Sequence, residues 1–204
     1  IVLDESDNSF VLSLRHQDWL VKIDRETGEL IWRMGREGDF DLSGDGEWQY
    51  HQHAPMLLGE NILLYDNGNA RPDTDPADLY SRAVEYSLDA TDADPDEGTK
   101  GTAEQVWEFR GDTPFYSPYI CDADQLANGN VLVTDGGRLE DQTASIVDAE
   151  NHKWARIVEV TKDADPQVVW ELRVDDGEET GGYAVYRADR IESLTNPVPV
   201  NAQE

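Results

Sequence analysis

Short segments of alternating polarity recur along the chain in three similar sets, and this repeat constrains the fold more than any other feature. The last segment of each set carries a tryptophan: Trp32, Trp107 or Trp170. The sets comprise residues 9–17, 19–24 and 29–35, then 61–68, 82–89 and 104–111, then 130–137, 155–163 and 166–174. A polarity period of two is typical of β-strands. The recurrence predicts one sheet unit used repeatedly, with the tryptophans packing between units.

A further strand precedes the first member of each later set, at residues 53–58 and 121–126. Four antiparallel strands per unit is the pattern of a β-propeller blade. The sequence therefore predicts an all-β fold, a partial β-propeller of about three four-stranded blades. The blades are expected at about residues 1–50, 51–115 and 116–194, with a C-terminal tail at 195–204.

Three blades do not close a propeller ring, which usually has 4–8 of them. The first residues, "IVLDESDNSFVLSL", already read as a strand and a turn. We therefore expect the chain to be roughly half of a propeller, a fragment completed by a missing N-terminal half or by a second chain.

Acidic residues dominate the charge, with 44 Asp and Glu against 16 Lys and Arg, a net charge of −28. No basic stripe is present to meet phosphates, so nucleic-acid binding is not expected. An acidic surface with few lysines suits a protein that stays soluble in concentrated salt, and a halophilic source is our preferred interpretation over an ordinary acidic secreted protein. The single cysteine excludes an internal disulfide and a cysteine-based zinc cluster.

Two of the four histidines, His51 and His53, lie in "QYHQHAPMLL" at the start of a strand. Their spacing would place both rings on one strand face, as in a metal site. The sequence places no carboxylate or third histidine convincingly beside them, so a metal is not predicted. The residues alone leave open whether His53 is a nucleophile or a polar residue at a strand end.

Four motifs occur in a characteristic order: "RHQ" at 15–17, "QHxxxxL" at 52–58, "DNG" at 66–68 and "SRAVxYxxD" at 81–89. Together they make the segment from about Ser13 to Val174 resemble the bacterial arylsulfate sulfotransferases. The resemblance implies a six-bladed propeller that needs no cofactor. Its substrates would be a phenolic sulfate donor and a phenol acceptor, and its location would be extracytoplasmic.

The resemblance also implies two catalytic roles. His53 occupies the position of the family's nucleophile, which becomes a sulfohistidine, and Arg15 that of an arginine binding the sulfuryl oxygens. Neutral imidazole suits nucleophilic attack near pH 7, and a guanidinium suits an anionic sulfuryl group. We expect both side chains to reach one cavity from neighbouring blades. The family's upstream His-x-Asn pair has no counterpart before Arg15, so the site is expected to be incomplete in this chain.

Other polar residues have weaker functional interpretations. His51 is expected at the mouth of the site or facing solvent, Asn67 in a turn as a weak candidate for contact with ligand, and Arg82 in an ion pair inside the sheet. His16 is expected to point away from Arg15. Cys121 is placed at the repeat position of His53, with one residue of slippage allowed, as a small buried residue.

A non-catalytic propeller that binds a ligand or a protein is the alternative function. The segment "KIDRETGELIW" favours it, because this segment also resembles blades of quinone-binding and scaffold propellers. A quinoprotein dehydrogenase would need a calcium-binding constellation that the sequence does not show.

Overall fold

A computed structural model describes residues 1–111, 115–143, 147–148, 150–177 and 181–191. The expected tail at 195–204 lies outside these residues. The described residues are built from strands and two short 3₁₀ turns, and they form three sheets. The predicted all-β class is confirmed. None of the described helical segments is long and apolar enough to cross a lipid bilayer.

The first and third sheets are four-stranded antiparallel meanders, in which strands adjacent in sequence pair with one another. The first contains β1 (Val2–Asp4), β2 (Ser9–Leu14), β3 (Trp19–Asp24) and β4 (Leu30–Met34). The second contains β5 (Phe40–Ser43), β6 (His53–Leu58), β7 (Asn61–Asp66), β8 (Arg82–Asp89) and β9 (Gly101–Phe109). The third contains β10 (Asp122–Gln125), β11 (Val131–Leu139), β12 (Lys153–Val160) and β13 (Val168–Val174). The 3₁₀ turns are Arg15–Gln17 and Pro76–Asp78.

The second sheet departs from the simple meander, because β5 adds a fifth strand that pairs in parallel with β9. The chain thus passes from the first sheet to the second between Met34 and Phe40. The alternating pattern did not reveal β5, since its four residues are too few to show a period.

The segment 9–17 is not one continuous strand, as the alternation had suggested. The strand β2 ends at Leu14, and Arg15–Gln17 forms a 3₁₀ turn closed by Asp18 in the left-handed conformation, at φ 58°. Arg15 therefore projects from the end of the sheet, beside the strand starts of its neighbours.

Two hydrophobic clusters hold adjacent sheets together. One includes Trp32, Met34 and Tyr86, from the first and second sheets. The other includes Trp107 from the second sheet and Val158 from the third. Burial of these apolar side chains is the main stabilising contribution to such a packing.

Trp170 does not follow the other two repeat tryptophans, and the prediction that it packs between blades is wrong for the described residues. It is 44% exposed on β13, the outermost strand of the third sheet. The described part of the chain offers no further sheet to cover this strand.

The pairing register shows which positions are equivalent between sheets. His53 pairs with Tyr65 at the start of β6, and Asp122 pairs with Thr134 at the start of β10. Aligning "NILLYDNG" with "NVLVTDGG" without a gap gives the same match. The repeat counterpart of His53 is therefore Asp122, the residue after Cys121, which is within the one residue of slippage that the sequence comparison allowed.

Candidate active site

A cavity of about 610 Å³ lies where the first strands of the sheets converge. The Arg15 turn and the start of β6 contribute to its wall, together with β10 and the C-terminal segment that follows β13. The polar and aromatic side chains that line it include Arg15, His53, Asp122, Asp124, Tyr186 and Arg187. The structure thus brings His53 and Arg15 to one cavity from neighbouring sheets.

The His53 ring is held by the side chain of Asn67. Its Nδ1 lies 2.6 Å from the Asn67 Oδ1, and the Asn67 amide nitrogen donates to the carbonyls of Ser117 (2.7 Å) and Ile120 (3.1 Å). These two carbonyls require the NH₂ end of the amide, so Oδ1 must face the ring and accept a proton from Nδ1. In neutral His53 the lone pair is consequently on Nε2.

His53 is biased toward its neutral form. Burial lowers the pKa of His53 below its usual value, and the positive charge of Arg15 lowers it further, while the hydrogen bond to Asn67 acts in the opposite direction. An imidazole that is unprotonated at neutral pH keeps its lone pair available for nucleophilic attack.

The turn "DNG" orients Asn67. Gly68 has φ 74°, and a Cβ there would lie 1.9 Å from the carbonyl oxygen of Tyr80. Asp66 accepts hydrogen bonds from the backbone N–H groups of Tyr50 and Gly68. Asn67 itself is fully buried, and its side chain contacts the His53 ring. It is not among the residues that line the cavity, so the weak expectation of a contact with ligand has no support in the structure.

Arg15 is anchored by the backbone of a distant segment. Its Nη2 donates to the carbonyl of Pro118 at 3.1 Å, and its Nη1 lies 3.4 Å from the Nε2 of His16. A guanidinium has five N–H donors, so these contacts leave others for an anion. His16 was expected to point away from Arg15, and this is wrong because both residues lie on the 3₁₀ turn rather than on a strand.

His51 is separated from His53 by local backbone geometry. It precedes β6 in the left-handed conformation, at φ 55°, so the two rings do not share a strand face. Its Nδ1 lies 3.1 Å from the Asp18 carboxylate, and its ring centroid is 5.8 Å from that of His16. A carboxylate and a third histidine therefore do lie beside His51, contrary to the expectation from sequence.

The group of described side chains spaced to hold a metal ion is elsewhere. It consists of His152, Asp175 and Asp176 in the third sheet and just after it, and it includes neither His51 nor His53.

Arg82 is fully buried inside the second sheet. Its guanidinium donates to Asp66 (2.9 Å), Glu108 (2.8 Å) and the carbonyl of Glu47 (2.8 Å). These contacts are those of a structural ion pair within the sheet, and Arg82 is not among the side chains that line the cavity.

Three charged residues of the cavity were missed by sequence reasoning: Asp122, Asp124 and Arg187. Burial and the neighbouring Asp124 carboxylate together raise the pKa of Asp122 to about 7. The gap-free repeat alignment would have indicated Asp122, since it matches His53. Nothing in the sequence near Arg187 predicted that the C-terminal segment returns to the cavity.

The sheets and the cavity define a class of all-β protein with blade-like units and a histidine–arginine pair at the convergence of their first strands. The family model described as Arylsulfotransferase (ASST) matches residues 1–187, and the chain belongs to this family. A search of curated proteins found no match. The resemblance noted in the sequence motifs is thereby confirmed.

Proposed function

We propose that the protein is an arylsulfate sulfotransferase that passes a sulfuryl group from a phenolic sulfate ester to a phenol through a sulfohistidine at His53. The observation that carries this proposal is the amide of Asn67, whose orientation leaves the lone pair of His53 on Nε2. Membership of the family supports sulfuryl transfer as the reaction.

In the first half-reaction, Nε2 of His53 attacks the sulfur of the donor. The N–S bond forms as the S–O bond to the aryl group breaks, and the electron pair of that bond leaves on the phenolate. The Nδ1 proton stays on the ring, hydrogen-bonded to Asn67. A phenol then attacks the sulfohistidine, the N–S bond breaks, and its electron pair returns to Nε2. Such a reaction has ping-pong kinetics.

Arg15 stabilises the charge on the sulfuryl oxygens. Sulfuryl transfer parallels phosphoryl transfer, in which positioning and charge stabilisation provide most of the catalysis. The net charge of −28 would repel an anionic ester, so a local cation at the cavity is needed for binding.

We also propose that further β-strands, in addition to those of the described residues, complete the site. The three sheets do not by themselves make a closed ring of 4–8 blades, and Trp170 and Val169 of β13 leave apolar surface exposed. Further blades, from the rest of a longer protein or from a second chain, would cover this surface.

The proposal is tested by mixing the full-length protein with 4-nitrophenyl sulfate and a phenol acceptor, and following nitrophenolate by absorbance. Without acceptor, we expect a burst of one nitrophenolate per site and an intact mass raised by one sulfuryl group. His53→Asn should abolish both signals, while His152→Asn, a change outside the cavity, should preserve them. A wild-type rate in the His53→Asn variant would refute the mechanism, and a non-catalytic propeller would show no burst at all.

A further inference from the structure

The start of β10 brings a pair of carboxyl groups to the same cavity as the proposed nucleophile. Asp122 and Asp124 both line the cavity that His53 lines. Residues two apart on a strand share a face, so the pair projects to the same side of β10. The strands β6 and β10 lie close together, since the Gln125 N–H is 3.2 Å from the sulfur of Met56.

Asp122 has the same place in its sheet as His53 has in the adjacent one, because each begins the first strand of a repeat unit at the same register. The two side chains thus reach the cavity from equivalent positions. Asp122 is also buried, and its Oδ1 accepts a hydrogen bond from the N–H of Ala123 at 3.0 Å.

The proposed reaction also requires a group that gives and takes a proton at the phenol oxygen, and no residue has yet been assigned to this role. A phenol must lose its proton as its oxygen attacks the sulfohistidine, and the phenolate released from the donor gains one. His53 cannot do either, since its Nε2 is bonded to sulfur between the two steps and its Nδ1 proton is committed to Asn67.

Resting on the proposed function, we propose that Asp122 is the general acid–base catalyst of the transfer, with Asp124 as its positioning partner. In the first half-reaction the Asp122 carboxyl group gives its proton to the departing phenolate oxygen. In the second, the Asp122 carboxylate takes the proton of the acceptor phenol as the phenol oxygen bonds to sulfur and the N–S bond breaks. One proton leaves and one returns in each cycle.

The surroundings of Asp122 suit this exchange. Burial and the Asp124 carboxylate raise its pKa to about 7, while the cation of Arg187 acts in the opposite direction. The pKa of Asp124 is itself raised by burial and by Asp189, and the two carboxyl groups are close enough to share a proton. A carboxyl group that titrates near neutral pH can both give and take a proton.

The other titratable groups at the cavity lie on the neighbouring elements. Arg15 and His53 face it from the first and second sheets, and the thiol of Cys121 precedes Asp122, with a pKa raised by burial to about 12. Since Cys121 stays protonated and His53 is sulfated when the acceptor attacks, the Asp122–Asp124 pair is the group whose charge changes near pH 7 in that step.

The test separates the two half-reactions in the full-length protein. With 4-nitrophenyl sulfate, whose leaving phenolate needs no proton, Asp122→Asn should keep the nitrophenolate burst. Discharge of the sulfo-enzyme by unsubstituted phenol should fall about 10²-fold or more. A strongly acidic phenol, already ionised at the assay pH, should restore discharge. Asp92→Asn, a change at an exposed loop residue, should alter neither step.

The pH profile of the discharge step supplies a second readout. In the wild-type protein the rate should rise through pH about 7, and Asp122→Asn should remove this rise. Asp124→Asn should move the rise to lower pH, because it removes the negative charge that raises the pKa of Asp122. Normal discharge by phenol in Asp122→Asn, or an equal loss of burst and discharge, would overturn the proposal. Absence of any burst from the wild-type protein would instead refute the proposed function.

Discussion

The Asn67 side chain has one acceptor and one donor group, and the structure uses both. The acceptor receives the Nδ1 proton of His53, and the donor is held by the carbonyls of Ser117 and Ile120. Because those carbonyls belong to the loop before β10, the tautomer of a histidine in the second sheet is set by the backbone that leads into the third.

Replacement of Asn67 should therefore impair catalysis without removing the nucleophile. We expect Asn67→Ala to lower kcat about 100-fold through misplacement of the ring, and to cost about 1–3 kcal/mol of stability for carbonyls left unpaired. Asn67→Asp keeps an acceptor but adds a negative charge, so it should raise the pKa of His53. The acid limb of kcat/KM for the donor should then move to higher pH. A wild-type kcat in Asn67→Ala would contradict a positioning role.

The Arg15 charge is expected to affect both binding and titration. Burial and Arg15 lower the pKa of His53, so kcat/KM for 4-nitrophenyl sulfate, whose leaving phenolate needs no proton, should stay constant down through pH about 6.5, the usual value for histidine, and decline only at lower pH. Arg15→Gln should move that decline to higher pH and reduce kcat by about 10²–10³-fold. The exposed Arg36→Gln serves as the matched control. An unshifted pH profile in Arg15→Gln would show that the two groups do not interact.

The sequence predicted the nucleophile and the arginine better than their surroundings. The motifs around Arg15 and His53 are local, and the repeat placed them at the ends of neighbouring strands. The contact between His53 and Asn67 joins the start of β6 to the turn that follows β7, but its tautomeric consequence depends on carbonyls some fifty residues away. Alternation of polarity cannot reveal such a contact, because it indicates which face of a strand is buried. It does not indicate which distant residues contact the end of that strand.

Among the elements, the turn between β7 and β8 determines the geometry of the site. Its backbone packs against Tyr80 so closely that only glycine fits at position 68. The buried Asp66 beside it accepts from the guanidinium groups of Arg71 (2.8 Å) and Arg82 (2.9 Å). Loss of either arginine would leave the buried Asp66 charge less well compensated, which is costly. The two ion pairs therefore stabilise the position of Asp66 at the start of the turn.

A pair of glycine variants separates the close contact from backbone strain. Gly68→Ala should destabilise the protein by more than the about 1–3 kcal/mol of left-handed strain, because the new Cβ would collide with the Tyr80 carbonyl. Gly59→Ala has a similar φ of 70° but no atom within 4 Å of the added Cβ, so it should show the strain alone. Chemical denaturation measures the free energy of unfolding of both variants. Equal losses of stability would show that the close contact at Gly68 contributes nothing beyond backbone strain.

The strands themselves were largely predictable, whereas their ends were not. The sequence pattern identified β2, in which buried and partly exposed residues alternate at its start, and also β7 and β11, which contain short apolar runs and are buried along almost their whole length. It extended β2 through Arg15, where the chain in fact turns, since a 3₁₀ turn of three residues has no period of its own. Left-handed residues such as Asp18 and His51 decide these ends, and no polarity pattern marks them.

For the whole molecule, the surface charge is the dominant electrostatic feature. A net charge of −28 on 204 residues opposes the compact state through self-repulsion. The buried ion pairs of the second sheet do not relieve this repulsion, because they are local and nearly neutral. Screening by salt must do so, which is why we propose a salt-rich working environment.

The melting temperature should accordingly rise with potassium chloride. The Debye length shrinks from about 10 Å at 0.1 M to about 3 Å at 1 M, and most of the gain should occur within this range. Thermal unfolding followed by circular dichroism measures the effect, and potassium chloride is chosen because sulfate would also stabilise by exclusion from the surface. A melting temperature that is flat or falls with added potassium chloride would contradict this account.

The hydrogen bond from Arg15 to the Pro118 carbonyl joins the first sheet directly to the loop before the third, although the whole second sheet lies between them in sequence. An anion held at this spot would touch groups supplied by all three repeat units at once. No single sheet of the described residues supplies Arg15, His53 and Asp122 together. Arg15 follows the second strand of its sheet, whereas His53 and Asp122 begin the first strands of their repeat units, so the three units do not all contribute to the site from one repeated position.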